Sequence, residues 1–353
     1  MSVMAVPCKG MMDAADPQNE TTDALGWGAF FAEQVTEEEH DLLPMRIATV
    51  HRARMTAVSA QGVVRLVLPL QANTGEYAVG DWVLVDPDTV MPKRRLERRA
   101  LLQRRVDGGR AQLIAANVDT LFIVTSCNAD FNPARLERYL ALANEAGSDP
   151  VIVLTKADTV ADASSYRAEA EALQRGLVVV AVDATSADAA AALAPWCGVG
   201  QTVALVGSSG VGKSTLLNTL AAKEDGDRQE TGGIREDDAK GRHTTTSRSL
   251  HGVLGGGWVI DTPGMRTLHV SDVAGGLETL FAEITDLAPS CRFRDCTHAH
   301  EPGCAVQAAV AAGTLDPARL DRWRKLSDEN RDNTPVMTGP RGNKSVLPRN
   351  RRR

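Results

Sequence analysis

The chain has 353 residues, 43% hydrophobic and 24% charged, which suits two or three globular domains and excludes a disordered or fibrous protein. Its net charge of −6 is unevenly spread: residues 1–44 carry nine acidic side chains and one basic, residues 45–110 twelve basic and six acidic, and residues 317–353 eleven basic and four acidic. No apolar run reaches the ~18–20 residues that span a bilayer, no basic-then-apolar leader opens the chain, and six cysteines are too few for a disulfide scaffold, so a reducing cytoplasm and no membrane partner are expected.

Residues 1–44 lack periodicity and predict a mobile acidic tail. Residues 45–58, 62–70 and 82–85 are short β-prone runs separated by turn residues, a spacing that fits a small β-barrel such as the OB-fold over 45–110. Only Tyr77 and Trp82 offer stacking surfaces there, so RNA affinity would rest on charge, chiefly the run from Lys93 to Arg99 with Arg104 and Arg105. From Asn117 the pattern alternates. Strands are predicted at 118–125, 151–154, 177–182, Thr202–Val206 and 253–260, with helices at Pro133–Ala146, 164–175 and 213–222. Such alternation implies an α/β domain with a parallel sheet, placed at 111–285. A Cys/His module at 286–331 follows, ending in a charged helix from Pro317 to about Arg331, and residues 332–353 predict a basic disordered tail.

The octet Gly207-Ser208-Ser209-Gly210-Val211-Gly212-Lys213-Ser214 follows an apolar strand and opens a helix, the context a phosphate-binding loop requires. Its glycines let backbone N–H groups turn inward around a phosphate at the helix N-terminus. Lys213 is expected to reach the β- and γ-phosphates, the Ser214 hydroxyl to ligate Mg²⁺, and Thr215 to belong to the same nucleotide site. Asp261-Thr262-Pro263-Gly264 closes the next strand: Asp261 can hold a Mg²⁺-bound water and the Gly264 amide can sense a γ-phosphate. Between them lies Gly241-Arg242-His243-Thr244-Thr245-Thr246, a polar switch-like segment in which a threonine, assigned as Thr245, would complete the Mg²⁺ shell. Thr155-Lys156-Ala157-Asp158 is the base reader. The Asp158 carboxylate can accept both the N1–H and the exocyclic amine of guanine while the Lys156 stem lies along the ring, which favours GTP over ATP. The base reader precedes the phosphate loop, the reverse of ordinary GTPases, so the order implies a circularly permuted chain.

Cys291-x₄-Cys296-x-His298-x₅-Cys304 supplies three thiolates and an imidazole within fourteen residues, the composition of a closed structural Zn²⁺ site. Spacing alone leaves His300 as a rival imidazole. Cys8, Cys127 and Cys197 are isolated thiols.

The permuted order, the Cys/His cluster and the Gly241–Thr246 segment together resemble the bacterial ribosome small-subunit-dependent GTPase A family, as does Ala115-Ala116-Asn117-Val118-Asp119 at the entry to the α/β domain. The resemblance spans roughly residues 45–331. It implies an N-terminal OB-fold, a central GTPase with Mg²⁺ and GTP, a C-terminal domain with one Zn²⁺ whose imidazole ligand is His298, and a role in late maturation of the small (30S) subunit. It also implies contact with 16S rRNA and turnover stimulated by the subunit; a monomer is expected. The chain departs from the family at the base reader, where Thr155 replaces the usual Asn. A hydroxyl is too short to span from the phosphate loop to the guanine edge, which predicts weaker nucleotide binding. The loop that normally contacts the guanine carbonyl here reads Asp183-Ala184-Thr185.

Met265 follows Gly264, where many GTPases carry a water-orienting Gln, so slow intrinsic turnover is predicted, with His243 or a ribosomal group supplying the missing polarising function. His243, Thr245 and Gly264 form the expected catalytic set. Two other readings stand beside a GTPase: a phosphate-loop ATPase or kinase acting on RNA, and an RNA-binding assembly platform with a structural nucleotide. Tighter subunit binding in the GTP form is expected, as is weaker, less salt-dependent binding once Arg94, Arg95, Arg98 and Arg99 are neutralised.

Overall fold

The computed structural model describes residues 22–105, 111–221, 248–262, 270–334, 336–338 and 345–347. Residues 22–42 correct the expectation of a tail reaching to residue 44. A short helix α1 (Ala29–Ala32) presents Phe31 to the interior, and Leu25, Phe31 and Trp82 are all buried in one cluster. Trp27 meets Trp82 edge-on at 4.8 Å between ring centroids. Acidic composition masked this apolar anchor: aromatic rings bury enough surface to hold an otherwise polar segment.

The strands β1 (Leu43–His51), β2 (Arg54–Ser59), β3 (Gly62–Arg65), β4 (Trp82–Val85) and β5 (Pro92–Arg95) pair antiparallel in the order 3-2-1-4-5. The run expected over 45–58 therefore divides between His51 and Arg54. Alternation sends Met45 and Ile47 into a core shared with Met55, Ala57, Val83 and Val85. Arg46 points the opposite way and is buried. Its guanidinium donates to Leu25 O at 2.6 Å and to Thr202 Oγ1 at 2.7 Å, tying the N-terminal segment, the antiparallel unit and the α/β half together. Burial lowers its pKa to about 10, so it stays charged at neutral pH. A hairpin of β6 (Leu101–Arg105) and β7 (Ala111–Ala116) straddles the boundary expected at 110/111.

The α/β half runs β8 (Thr120–Ser126), α2 (Pro133–Ala146), β9 (Asp149–Thr155), α3 (Ser164–Glu171), β10 (Val178–Ala181), α4 (Ala187–Leu193), β11 (Thr202–Val206), α5 (Lys213–Leu220), β12 (Ser249–Gly252) and β13 (Trp258–Asp261). Sheet order is 10-9-8-11-13-12, parallel throughout except for β12. Every residue of β8 and β11 is buried, as the unbroken apolar runs of a doubly covered parallel sheet require. The strand expected at 253–260 forms only over its last three residues, in β13; residues 253–257 are the turn that joins β12 to β13. Gly255 and Gly256 have φ of +96° and +85°, and a Cβ at Gly257 would lie 2.6 Å from Cys197 O. Thr49 of β1 pairs with Ser249 of β12, so both halves share one eleven-stranded sheet.

Beyond the sheet come α6 (Ala274–Leu280), α7 (Ala282–Thr285), α8 (Ala305–Ala311) and α9 (Pro317–Asn333). The Asp316 side chain caps α9 by accepting the Ala318 N–H, with Pro317 in the first turn. Arg319 is largely buried between Glu137 (2.9 Å) and Glu283 (2.6 Å), with its guanidinium over the Phe281 ring at 4.1 Å, and Arg322 joins Glu137 at 2.8 Å. Arg138 meets Glu329 at 2.6 Å. Thus α9 is bolted to α2. Within the segment expected to be disordered, β14 (Val336–Thr338) pairs with β15 (Ser345–Leu347). Among the described residues no helix is long and apolar enough to cross a membrane.

Candidate functional site

Because β8, β9, β11 and β13 run parallel, their C-terminal ends bring Ser126, Thr155, Val206 and Asp261 to one edge of the sheet, where open α/β folds bind ligands. The loop 207–212 leaves β11 there and returns as α5. Gly207, Gly210 and Gly212 have φ of +142°, +80° and +95°, conformations that side chains resist. At Gly207 a Cβ would also sit 2.1 Å from Val124 O. Lys213 turns back over the loop, its ammonium donating to Gly207 O at 2.9 Å and to Ser208 O. Ser209, Gly210 and Val211 form the crest; Ser214 and Thr215 lie in the first turn of α5, half-buried. Asp261 ends β13 in register with Leu205, and the Thr262 hydroxyl donates to Leu205 O at 2.5 Å, fixing the turn beside the loop.

The Thr155–Asp158 segment, expected to read the base, leaves β9 next door. Thr155 is fully buried, and its hydroxyl donates to Val211 O at 2.5 Å. The hydroxyl thus reaches the loop side of the span that an amide would cover. Gly212 has no side chain, so the threonine packs against the loop with only 3.5 Å to an imagined Cβ there. Lys156 adopts φ +55°, turning the chain into the Ala157–Thr159 turn, where Asp158 is exposed. The Ala157 N–H donates to Val182 O, drawing in the Asp183-Ala184-Thr185 loop. In that loop the Asp183 carboxylate accepts from the N–H and hydroxyl of Thr185, which lower its pKa. His243, Thr245 and the rest of the Gly241–Thr246 segment, with Pro263, Gly264 and Met265, lie outside the described residues.

The second cluster is Cys291, Cys296, His298 and Cys304, whose ligand atoms all lie within 4.8 Å of one another. A tetrahedral Zn²⁺ with Zn–S of ~2.3 Å and Zn–N of ~2.0–2.1 Å requires S···S of ~3.8 Å and S···N of ~3.5 Å. Here Cys291 and Cys304 sulfurs are 3.8 Å apart, and His298 Nδ1 lies 3.6 Å and 3.4 Å from them. His298 is buried whereas His300 is exposed, so the rival imidazole points elsewhere. Burial lowers the His298 pKa against the opposing pull of Glu301, favouring the neutral, ligating form. Burial and the adjacent Cys304 and Cys291 sulfurs push the Cys296 thiol up to about 11. Three thiolates there need a cation among them. Sequence reasoning passed over three supports. Glu301 accepts from the Thr297, Ala299 and His300 N–H groups, Gln307 donates to His298 O at 2.5 Å, and Arg324 donates to the same carbonyl.

The basic run is less available than its composition suggests. Arg94 pairs with Glu39, Arg98 with the buried Asp81, Arg99 with Asp119, Lys93 with Asp86 and Arg105 with Asp272. Arg98, Arg99, Arg104 and Arg105 line a cavity of about 270 Å³ between the β6–β7 hairpin and residues 271–273. Among the described residues, Arg95 donates only to Leu96 O.

A family model described as RsgA GTPase matches residues 95–271. The chain is 65% identical over 344 residues to a protein of Mesorhizobium japonicum named small ribosomal subunit biogenesis GTPase RsgA, covering 97% of this chain and 99% of that one. It is 48% identical to small ribosomal subunit biogenesis GTPase RsgA 2 of Vibrio vulnificus, covering 92% of each. In fold it is similar to YjeQ from Thermotoga maritima, with a TM-score of 0.59 at 24% identity over 81% of this chain and 98% of that one. It is also similar to YloQ, described as a circularly permuted GTPase, with a TM-score of 0.59 at 23% identity over 86% and 99%.

Proposed function

The chain belongs to the RsgA GTPase family, and from that premise we propose that it acts in biogenesis of the small ribosomal subunit through a GTP cycle at the 207–214 loop. It is a GTP hydrolase with the circularly permuted GTPase fold. The observation that carries the reading is the meeting of loop and base reader, with the buried Thr155 hydroxyl on Val211 O and the Lys213 ammonium over the loop. The loop amides and Lys213 hold the phosphates, Asp158 reads guanine, and Ser214 holds Mg²⁺, which neutralises phosphate charge when bound. With GTP bound, Thr245 and Asp261 would help Ser214 hold the Mg²⁺, the Gly264 amide would sense the γ-phosphate, and His243 would polarise the attacking water.

The Cys₃His cluster is a structural Zn²⁺ site, supported by its tetrahedral edge lengths and burial. The antiparallel unit over 45–110 is an OB-fold contacting 16S rRNA, supported by its five-stranded order and its arginines, and the zinc domain spans 286–331. The protein works in the cytoplasm as a monomer.

The deciding measurement is GTP hydrolysis with and without purified small subunits. Stimulation is expected, and tighter subunit binding with a non-hydrolysable GTP analogue than with GDP. Turnover unchanged by the subunit, with equal affinities for both nucleotide forms, would remove the ribosomal cycle from this reading. Asp158→Asn tests the base reader, since it should favour xanthosine triphosphate over GTP.

A further inference from the structure

One cation of the nucleotide edge belongs to none of the motifs above. Arg135 is the third residue of α2, where the Asn132 side chain caps the helix by accepting the Arg135 N–H at 3.0 Å and Pro133 fixes the first turn. Side chains lean toward the N-terminus of their helix, and here that end faces the phosphate loop. Arg135 Nη1 donates to Ser208 Oγ at 2.6 Å. Among the described residues Arg135 has no carboxylate partner, whereas Arg138, one residue short of a full turn away, pairs with Glu329.

Ser208 is therefore gripped twice, by Arg135 on its hydroxyl and by the Lys213 ammonium on its carbonyl. Lys213 is the side chain read as serving the β- and γ-phosphates, which puts Ser208 on the terminal-phosphate side of the loop.

We propose that Arg135 is a positioning residue of the nucleotide site: it holds Ser208, and through it the loop amides, for the terminal phosphate, and its charge favours GTP over GDP. The proposal rests on the reading that nucleotide phosphates bind in the 207–214 loop. Charge-assisted hydrogen bonds of this kind are worth more than neutral ones, so a loss of about tenfold in affinity is the expected scale.

The test measures GTP and GDP affinity, KM and kcat, and unfolding temperature in the full-length protein. Arg135→Ala should weaken GTP binding about tenfold and GDP binding about threefold or less, raising KM more than it lowers kcat. Arg135→Lys, which keeps the charge, should recover part of the GTP preference. Ser208→Ala should weaken GTP binding in the same direction, and adding it to Arg135→Ala should cost little more, because both act through one contact. An unchanged GTP-to-GDP ratio in Arg135→Ala, or a full additive loss in the double variant, overturns the proposal. Lys213→Ala separates the underlying reading: if it binds GTP as the unaltered protein does, the phosphates are not in this loop. If it loses GTP while Arg135→Ala keeps the original ratio, only the role of Arg135 fails.

Discussion

Neutralising Arg98 should unfold the protein more readily rather than simply weaken its hold on RNA. Asp81 has a side chain 0% exposed and accepts three hydrogen bonds: Arg98 Nε at 2.6 Å, Arg98 Nη2 at 2.7 Å and the Ala78 N–H at 2.7 Å. Arg98→Ala removes two of the three and leaves a carboxylate buried beside one amide. Truncating one partner of a buried ion pair typically costs about 3–5 kcal/mol. At roughly 2–4 °C per kcal/mol for a unit of 150–250 residues, the first unfolding transition should fall by about 10 °C. Arg95→Ala is the comparison, since among the described residues that guanidinium donates only to the neighbouring Leu96 carbonyl, and its cost should stay within about 0.5 kcal/mol. Adding Asp81→Asn to Arg98→Ala should restore part of the loss by removing the stranded charge. Thermal unfolding followed by calorimetry reads all four proteins. If Arg98→Ala unfolds like the unaltered chain yet binds small subunits more weakly, Arg98 acts as a surface cation and the structural reasoning fails.

Thr155→Val keeps the shape but strips the hydroxyl from Val211 O and Thr125 O, so GTP affinity should drop about tenfold with little change in fold, the scale of a lost buried hydrogen bond; titration with a fluorescent GTP analogue giving unaltered affinity would show that the contact is idle. Metal analysis should find one Zn²⁺ per chain, lost in His298→Ala and retained in His300→Ala, and the reverse pattern would replace the ligand. Arg94 and the Thr36 amide hold Glu39 down to about 2 from an ordinary 4.5, so the stabilisation from this carboxylate is complete above about 4.5 and disappears as pH falls toward 2. Trp27 fluorescence should report detachment of residues 34–39 across that window, with Arg94→Gln moving the midpoint upward; a midpoint insensitive to Arg94→Gln would disconnect the pair from the transition.

The motifs were legible where a local rule suffices. A phosphate loop is specified by its own glycines, and the sheet alternation by apolar runs that need no partner to be recognised. Strand 253–260 begins too early because the three glycines after Leu254 look like the interior of a β run, until the positive φ of Gly255 and Gly256 turns the chain into a hairpin. Residues 22–42 were misread because acidic side chains dominate the composition while a few apolar side chains, Leu25, Trp27 and Phe31, do the packing. Ion pairs were invisible for a different reason. Arg98 and Asp81 are seventeen residues apart, Arg105 and Asp272 are separated by 167, and no spacing rule links such partners. Arg135 escaped notice in the same way, because nothing in Asn-Pro-Ala-Arg announces that its helix starts beside residue 208. At the Cys/His cluster spacing leaves two histidines, the family resemblance points to His298, and in the fold His298 is buried beside the cysteines whereas His300 is exposed.

Circular permutation changes which modules sit beside the nucleotide edge without changing the sheet. Strand order 10-9-8-11-13-12 depends on pairing, and pairing is indifferent to where the chain is cut. What the cut decides is attachment. The antiparallel N-terminal unit enters through β7 and also pairs with β12 through Thr49 and Ser249, immediately after the segment that holds Thr245. The C-terminal module follows β13 after α6 and α7, and its long helix α9 returns to α2, where Glu137 and Arg138 grip it within one turn of Arg135. One flanking module is thus joined by a strand pairing to β12, two strands from β11, and the other by ion pairs to α2, whose first turn meets the 207–212 loop through Arg135. A buried pair such as Glu137 with Arg319 resists sliding, because any intermediate position strands a charge away from water. Displacement of the first turn of α2 would therefore carry α9 with it rather than slip beneath it. That rigidity is the physical requirement for a change at one edge of a sheet to be felt by the Cys/His module that α9 carries.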